Sequence, residues 1–220
     1  MSTTRMLICA PMRLEASALR SATRGAVSGQ ETMRTTGLDA DSVTVRRTGY
    51  GPRRSARSAV RLLAADFDVL VVAGLAGGLA PEVRSGDVIV ADELRGHREA
   101  LRCHAADSLA DALVRSGFPV RTGPIVTTDA LVRGQRRDDL AATGALAVDM
   151  ESAVLAQAAG HRPLAVVRVV VDTAQHPLLR PGTVRRAMSG LARLHAVGSC
   201  LRRWGRQIPP EVRATCEEVL

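Results

Sequence analysis

Lysine is absent from this chain; all 30 basic residues are arginine. No lysine Schiff base can therefore form, and no GK[ST] phosphate loop is present. Aromatic residues are almost as scarce: Tyr50, Phe67, Phe118 and Trp204 are the whole set. So few rings argue against a stacking platform for single-stranded nucleic acid. Cys9, Cys103, Cys200 and Cys216 lie far apart with no CxxC pair, which argues against a zinc knuckle or a thioredoxin-like motif. No apolar run approaches the roughly 20 residues that a membrane-spanning helix needs. The apolar start is broken at once by Arg13 and Glu15, so it reads as a first strand rather than a secretion signal. A cytoplasmic protein with reduced cysteines fits this pattern.

The 220 residues are 46% hydrophobic and 24% charged, enough apolar material for one sizeable core. We read residues 1–205 as a single domain and 206–220 as a short tail. The net charge of +8 attracts anions, phosphate compounds and nucleic acid among them. The arginines are spread along the chain, which equally describes a solvated basic surface.

Apolar runs over residues 6–10, 68–73, 86–92, 120–127 and 163–171 read as strands, and the alternating residues 42–47 as a half-buried one. Between them, residues 13–24, 52–65, 107–116, 135–140 and 181–203 read as helices. A short strand and a helix share residues 147–160. Residues 25–37 are polar and loop-like. Leu14, Ala18 and Leu19 can share one helix face, and Ala56, Val60 and Leu63 another. Leu191, Leu194 and Leu201 set against arginines allow two readings of the last helix, lipid contact or core packing. Strands and helices alternate throughout, which predicts a three-layer α/β/α sandwich around a mixed central sheet.

Five segments carry candidate chemistry. The run from Asp68 enters Gly74-Leu75-Ala76-Gly77-Gly78, read as a glycine loop whose amides can approach a ligand closely. It is neither GxGxxG nor a Walker loop. Asp149 and Glu151 flank Met150 at the mouth of an apolar helix; capping accounts for one acid, and a polar ligand for the other. Asp172 closes a valine-rich strand, where ligands of α/β sheets gather. Glu15 follows the first strand and Asp129 another, so five strand-end acids can meet at one sheet edge. The histidines show no HExxH or paired spacing, so no metal is expected; His97 is the best of them for a polar site role.

Taken in order, Glu15, GLAGGL, SGDVIVAD, GPIVTTDA, VDMES and VRVVVDTA resemble the purine and uridine phosphorylase superfamily. The nucleosidase branch is the nearer, with methylthioadenosine/S-adenosylhomocysteine nucleosidases and hopanoid-associated phosphorylases. The resemblance spans roughly residues 6–203. It implies cleavage of the N-glycosidic bond of a purine nucleoside, adenosylhopane in the hopanoid branch, with adenine released. By position, Glu15 would orient the attacking water and Asp172 would protonate the leaving purine. Gly74, Leu75, Ala76 and Gly77 would lie beside the ribose, Met150 under it, and Glu151 on its hydroxyls, with Asp149 beside them. No cofactor is implied beyond phosphate as a co-substrate. Arg13 and Arg53 are candidates to bind that phosphate, whereas Glu15 favours water. A homodimer or larger homo-oligomer is implied too. Leu75 and Val171 replace frequent hydroxyl residues, and residues 141–148 lack the usual purine-stacking phenylalanine. The rival is a non-catalytic protein that binds nucleosides or nucleic acid, supported by the positive charge.

Overall fold

The computed structural model describes residues 4–24, 43–96, 99–176 and 182–208. The stretch 25–37, His97, Cys216 and the end of the tail lie outside the described residues. The first apolar run forms β1 (Met6–Ala10), buried along its whole length, and leads through Pro11 into α1 (Arg13–Thr23). Next come β2 (Val43–Arg47) and α2 (Pro52–Leu63), with Pro52 in the first turn, where its missing N–H costs nothing.

The third strand departs from the sequence reading, which ends it at Gly74. The chain stays extended as β3 (Val69–Gly78), and Gly74, Gly77 and Gly78 all avoid positive φ. They are there for space rather than for turning. A Cβ on Gly74 would stand 2.3 Å from Arg168 Nη1, and one on Gly78 2.7 Å from Val83 Cγ1.

The remaining elements are β4 (Val88–Arg95), β5 (Leu101–Arg102), α3 (Ala106–Arg115), β6 (Val120–Thr127), α4 (Gln135–Ala142), β7 (Ala147–Asp149), α5 (Ser152–Ala156), a 3₁₀ turn over Gln157–Ala159, β8 (Leu164–Asp172) and α6 (Thr183–Gly205). The two-residue β5 is too short to have left a pattern in the sequence.

Among the described residues the fold is mixed α/β, with one mixed sheet of eight strands. β3 pairs with β8 in parallel, β8 with β4 antiparallel, and β4 with β6 and β6 with β7 in parallel. β7 then returns antiparallel to the far end of β3, closing a ring of five strands. β1 and β2 extend the sheet from the near end of β3. α6 packs along α1 and also meets α3 and β8, while α2 packs on α5.

Two helix faces differ from the sequence reading. In α2 the buried residues are Ser55, Ala59 and Leu62, whereas Ala56, Val60 and Leu63 face outward. The arginines on α2 leave few apolar positions, and the observed stripe lies one residue earlier. In α1, Glu15, Ala16, Leu19 and Ala22 are buried while Leu14 is exposed. A charged group at the core face is what hydrophobic spacing misses. In α6, Leu194 and Leu201 are buried in the core, which favours the packing reading for both. Among the described residues no helix is long and apolar enough to cross a membrane.

The α2 assignment separates two neighbouring leucines. Leu62 is 2% exposed and Leu63 59%. In urea unfolding, Leu62→Ala should lose about 2–5 kcal/mol and Leu63→Ala no more than about 0.5 kcal/mol. The reverse order would restore the face expected from the sequence.

Candidate active site

The site begins with a gap in the sheet. On one side β3 pairs with β1 only through Val72, and with β7 only from Gly77. Between them the Leu75 N–H has no strand partner, and Glu15 supplies one: its Oε1 accepts at 2.8 Å. Glu15 sits in the first turn of α1, and its Oε2 accepts the Met12 N–H at 2.7 Å. The acid thus caps its own helix and fills the gap at once.

Across from Gly74 in the register stands Arg168 of β8, fully buried. Its Nη2 lies 2.7 Å from Asp149 Oδ2, and its Nε and Nη2 donate to Ser152 Oγ at 3.1 and 2.8 Å. Burying a guanidinium requires compensating charge, and Asp149, Glu151 and Glu15 all act on it. They keep its proton affinity above the ordinary value despite burial.

Asp149 is used up in this work. Its Oδ1 accepts from Thr127 Oγ1 at 2.8 Å and from the Glu151 and Ser152 N–H groups at 3.2 and 3.1 Å. Thr127 Oγ1 in turn accepts the Ala153 N–H at 2.9 Å. Of the two acids flanking Met150, Asp149 is therefore the capping one. Glu151 keeps a free oxygen: Oε1 accepts the Gly51 N–H at 2.8 Å, and Oε2 has no hydrogen-bond partner among the described residues. One cation does not neutralise three acids. Burial above all, with repulsion from Asp149 and Glu15, lifts Glu151 to about 6, against the pull of Arg168. Burial likewise lifts Glu15, opposed by Arg168 and by the two N–H groups it accepts.

Asp172 closes β8 opposite Gly77, whose Cβ would lie 3.2 Å from either carboxylate oxygen. Its Oδ2 accepts from Arg137 Nη1 at 2.8 Å. Arg137 Nη2 donates to the carbonyl oxygens of Gly78 and Asp172. Burial lifts the Asp172 carboxyl above the usual range, while Arg137 and then Arg186 pull it down.

Glu151, Asp172, Met150, Leu75, Ala76 and Gly77 line one cavity of about 320 Å³. Its remaining wall is largely apolar, with Leu131, Val132, Val148, Val171 and Ala187. Tyr50, at its mouth, donates its hydroxyl to Met150 Sδ at 3.1 Å. Glu15 lies behind the wall made by Met12 and Leu75, and Gly74 lies beneath Arg168 rather than on the cavity surface. Asp129 is exposed and does not line the cavity, although its neighbours Thr128 and Ala130 do, so four of the five strand-end acids come together. A larger cavity of about 420 Å³, by His104 and Leu164 at the other end of β8, is lined by no acid. Among the described residues no cluster of His, Cys, Asp and Glu could hold a metal ion.

Sequence reasoning missed Arg168, Arg137, Ser152 and Thr127. Arg168 did leave a signal, as the one charge inside a run of valines. Arg137 left none, because it sits in the polar run QRRDD.

Carboxyls with raised proton affinity at strand ends around an apolar-walled cleft make this the candidate acid–base site for a small molecule. Over residues 5–194 the sequence matches the phosphorylase superfamily, and the chain belongs to that family. Solved structures share its fold. The S-adenosylhomocysteine nucleosidase of Streptococcus pyogenes is 22% identical, with 95% of this chain and 99% of that one covered and a TM-score of 0.72. For the Campylobacter jejuni 5′-methylthioadenosine/S-adenosylhomocysteine nucleosidase the values are 14%, 93%, 100% and 0.76. For the futalosine hydrolase of Helicobacter pylori they are 16%, 93%, 98% and 0.72.

The raised Glu151 has a signature in stability. The folded state holds its proton more tightly than the unfolded chain, where a glutamate titrates near 4.5. Its contribution to stability is therefore full below about 4.5 and is lost as pH rises through about 6. Melting temperatures across that window should fall with pH in the native protein, and less so in Glu151→Gln. Parallel curves for the two proteins would refute the assignment.

Proposed function

We propose that the protein hydrolyses the N-glycosidic bond of an adenine nucleoside that carries an apolar 5′ substituent. The observation that carries this reading is the pairing of Glu151 and Asp172 on one cavity with largely apolar walls, with Glu15 directly behind the wall at Leu75. In the reaction, the C–N bonding pair goes to the base, and Asp172 gives a proton to the purine ring nitrogen N7. Burial keeps that carboxyl more basic than usual, which suits an acid working near neutral pH. Glu151, ionised above about 6, grips the ribose hydroxyls and stabilises the cation-like sugar. Glu15 takes a proton from water as the water oxygen joins the anomeric carbon. Proton exchange with solvent then restores Glu15 and Asp172.

Water is favoured over phosphate as nucleophile. The candidate phosphate ligands Arg13 and Arg53 are both exposed and line no part of the cavity. The arginine that does line it, Arg137, is bound to Asp172 at the base end. Adenosylhopane is the substrate we propose, in keeping with the apolar wall. Methylthioadenosine or S-adenosylhomocysteine is the second reading, favoured by the fold shared with nucleosidases of that name. We read the protein as a cytoplasmic homo-oligomer. Exposed Val60 and Leu63 on α2, with Leu131 beside the cavity, offer apolar surface for a second copy to cover.

Purified protein should release adenine and a free sugar from one of adenosine, methylthioadenosine or adenosylhopane, with or without phosphate. Mass spectrometry of the sugar product checks this. A sugar 1-phosphate formed only with phosphate would overturn the hydrolytic reading, and no adenine from any substrate would overturn the whole. Asp172→Asn should keep its fold by circular dichroism and lose about 10²–10⁴-fold in kcat. Unchanged turnover would remove Asp172 from the chemistry.

A further inference from the structure

Arg137 is a strange residue to find buried. It is the sole fully buried residue of α4, a helix made mostly of charged and polar side chains. Burying a guanidinium is unfavourable unless its donors are met. Three contacts engage the two terminal nitrogens, all beside Asp172 at one end of the cavity. Nη1 holds Asp172 Oδ2, and Nη2 holds the carbonyls of Gly78 and Asp172. Gly77 makes room for this fork, since a Cβ there would stand 3.3 Å from Nη2. Arg137 lines the cavity itself, and its buried Nε has no hydrogen-bond partner in the described structure.

We propose that Arg137 is a positioning residue that fixes Asp172 so that Oδ1 alone meets the base and delivers the proton. The fork binds both the side-chain oxygen and the main-chain oxygen of one residue. That locks the carboxyl against rotation, as a single point charge would not. With Oδ2 committed, the transferable proton resides on Oδ1, which has no hydrogen-bond partner among the described residues. The groups that face Asp172 are Arg137 from α4 and Arg186 from α6, both cationic. Removing Arg137 leaves burial and Arg186, so the Asp172 carboxyl becomes more basic. The kinetic part of this inference rests on the reaction proposed above; the titration part does not.

The test compares native protein, Arg137→Gln and Arg137→Lys. Carbon-13 NMR of labelled aspartate, assigned with Asp172→Asn, follows the carboxyl directly and needs no substrate. Its titration should move to higher pH in Arg137→Gln and stay near native in Arg137→Lys, which keeps the charge. With the nucleoside turned over by the native enzyme, both variants should lose about 10²-fold in kcat with KM little changed, since neither can form the fork. The high-pH limb of kcat should move upward in Arg137→Gln alone. An unmoved Asp172 titration in folded Arg137→Gln, or native kcat in Arg137→Lys, would overturn the proposal. If Arg137→Gln fails to fold, Arg137→Lys decides it through kcat. Absence of turnover in the native enzyme would instead count against the reaction and leave the titration to judge the arginine.

Discussion

A single fully buried guanidinium organises this molecule. Arg168 lies in the middle of a valine strand, and its charge must be answered by neighbours that are themselves buried. The answer comes from two separate places in the chain: α1, and the stretch from the end of β7 to Ser152 at the start of α5. Each of these elements is held in register by what it owes the arginine. The acids that remain uncompensated are the ones with chemistry to offer. The site is thus a by-product of charge balance inside an apolar sheet, where one cation faces more than one anion.

The two acids around Met150 illustrate the division of labour. Asp149 turns inward, accepts backbone and threonine donors and pairs with Arg168. Glu151, two residues on, turns into the cavity and is held by one N–H from the Gly51 turn. One extra methylene and two chain positions separate a carboxylate bound up in the framework from one that keeps an oxygen free of it.

Much of this was legible in the sequence, and the rest was hidden for definable reasons. The positions of most strands and their alternation with helices followed from apolar runs of the right length. Glu15, Glu151 and Asp172 stood out because each follows a strand. The glycines of β3 misled, since residues without side chains look the same whether they turn a chain or clear space beside a neighbour's side chain. That neighbour, Arg168, lies 94 positions away, and no local pattern pairs it with Gly74. The face of α2 was misread by one residue because its few apolar side chains fit two stripes. Asp129 obeyed the strand-end rule but points to solvent.

The pairing of Gly74 with Arg168 also constrains how this sequence can drift. A methyl group at position 74 collides with the guanidinium at once. Loss of the guanidinium first would strand three acids in the core with nothing to oppose them. Neither partner can change before the other without a costly intermediate, so the two sites form an epistatic pair separated by a fitness valley. Lineages descended from this chain should keep both or replace both together, while the valines around them exchange freely with other branched residues.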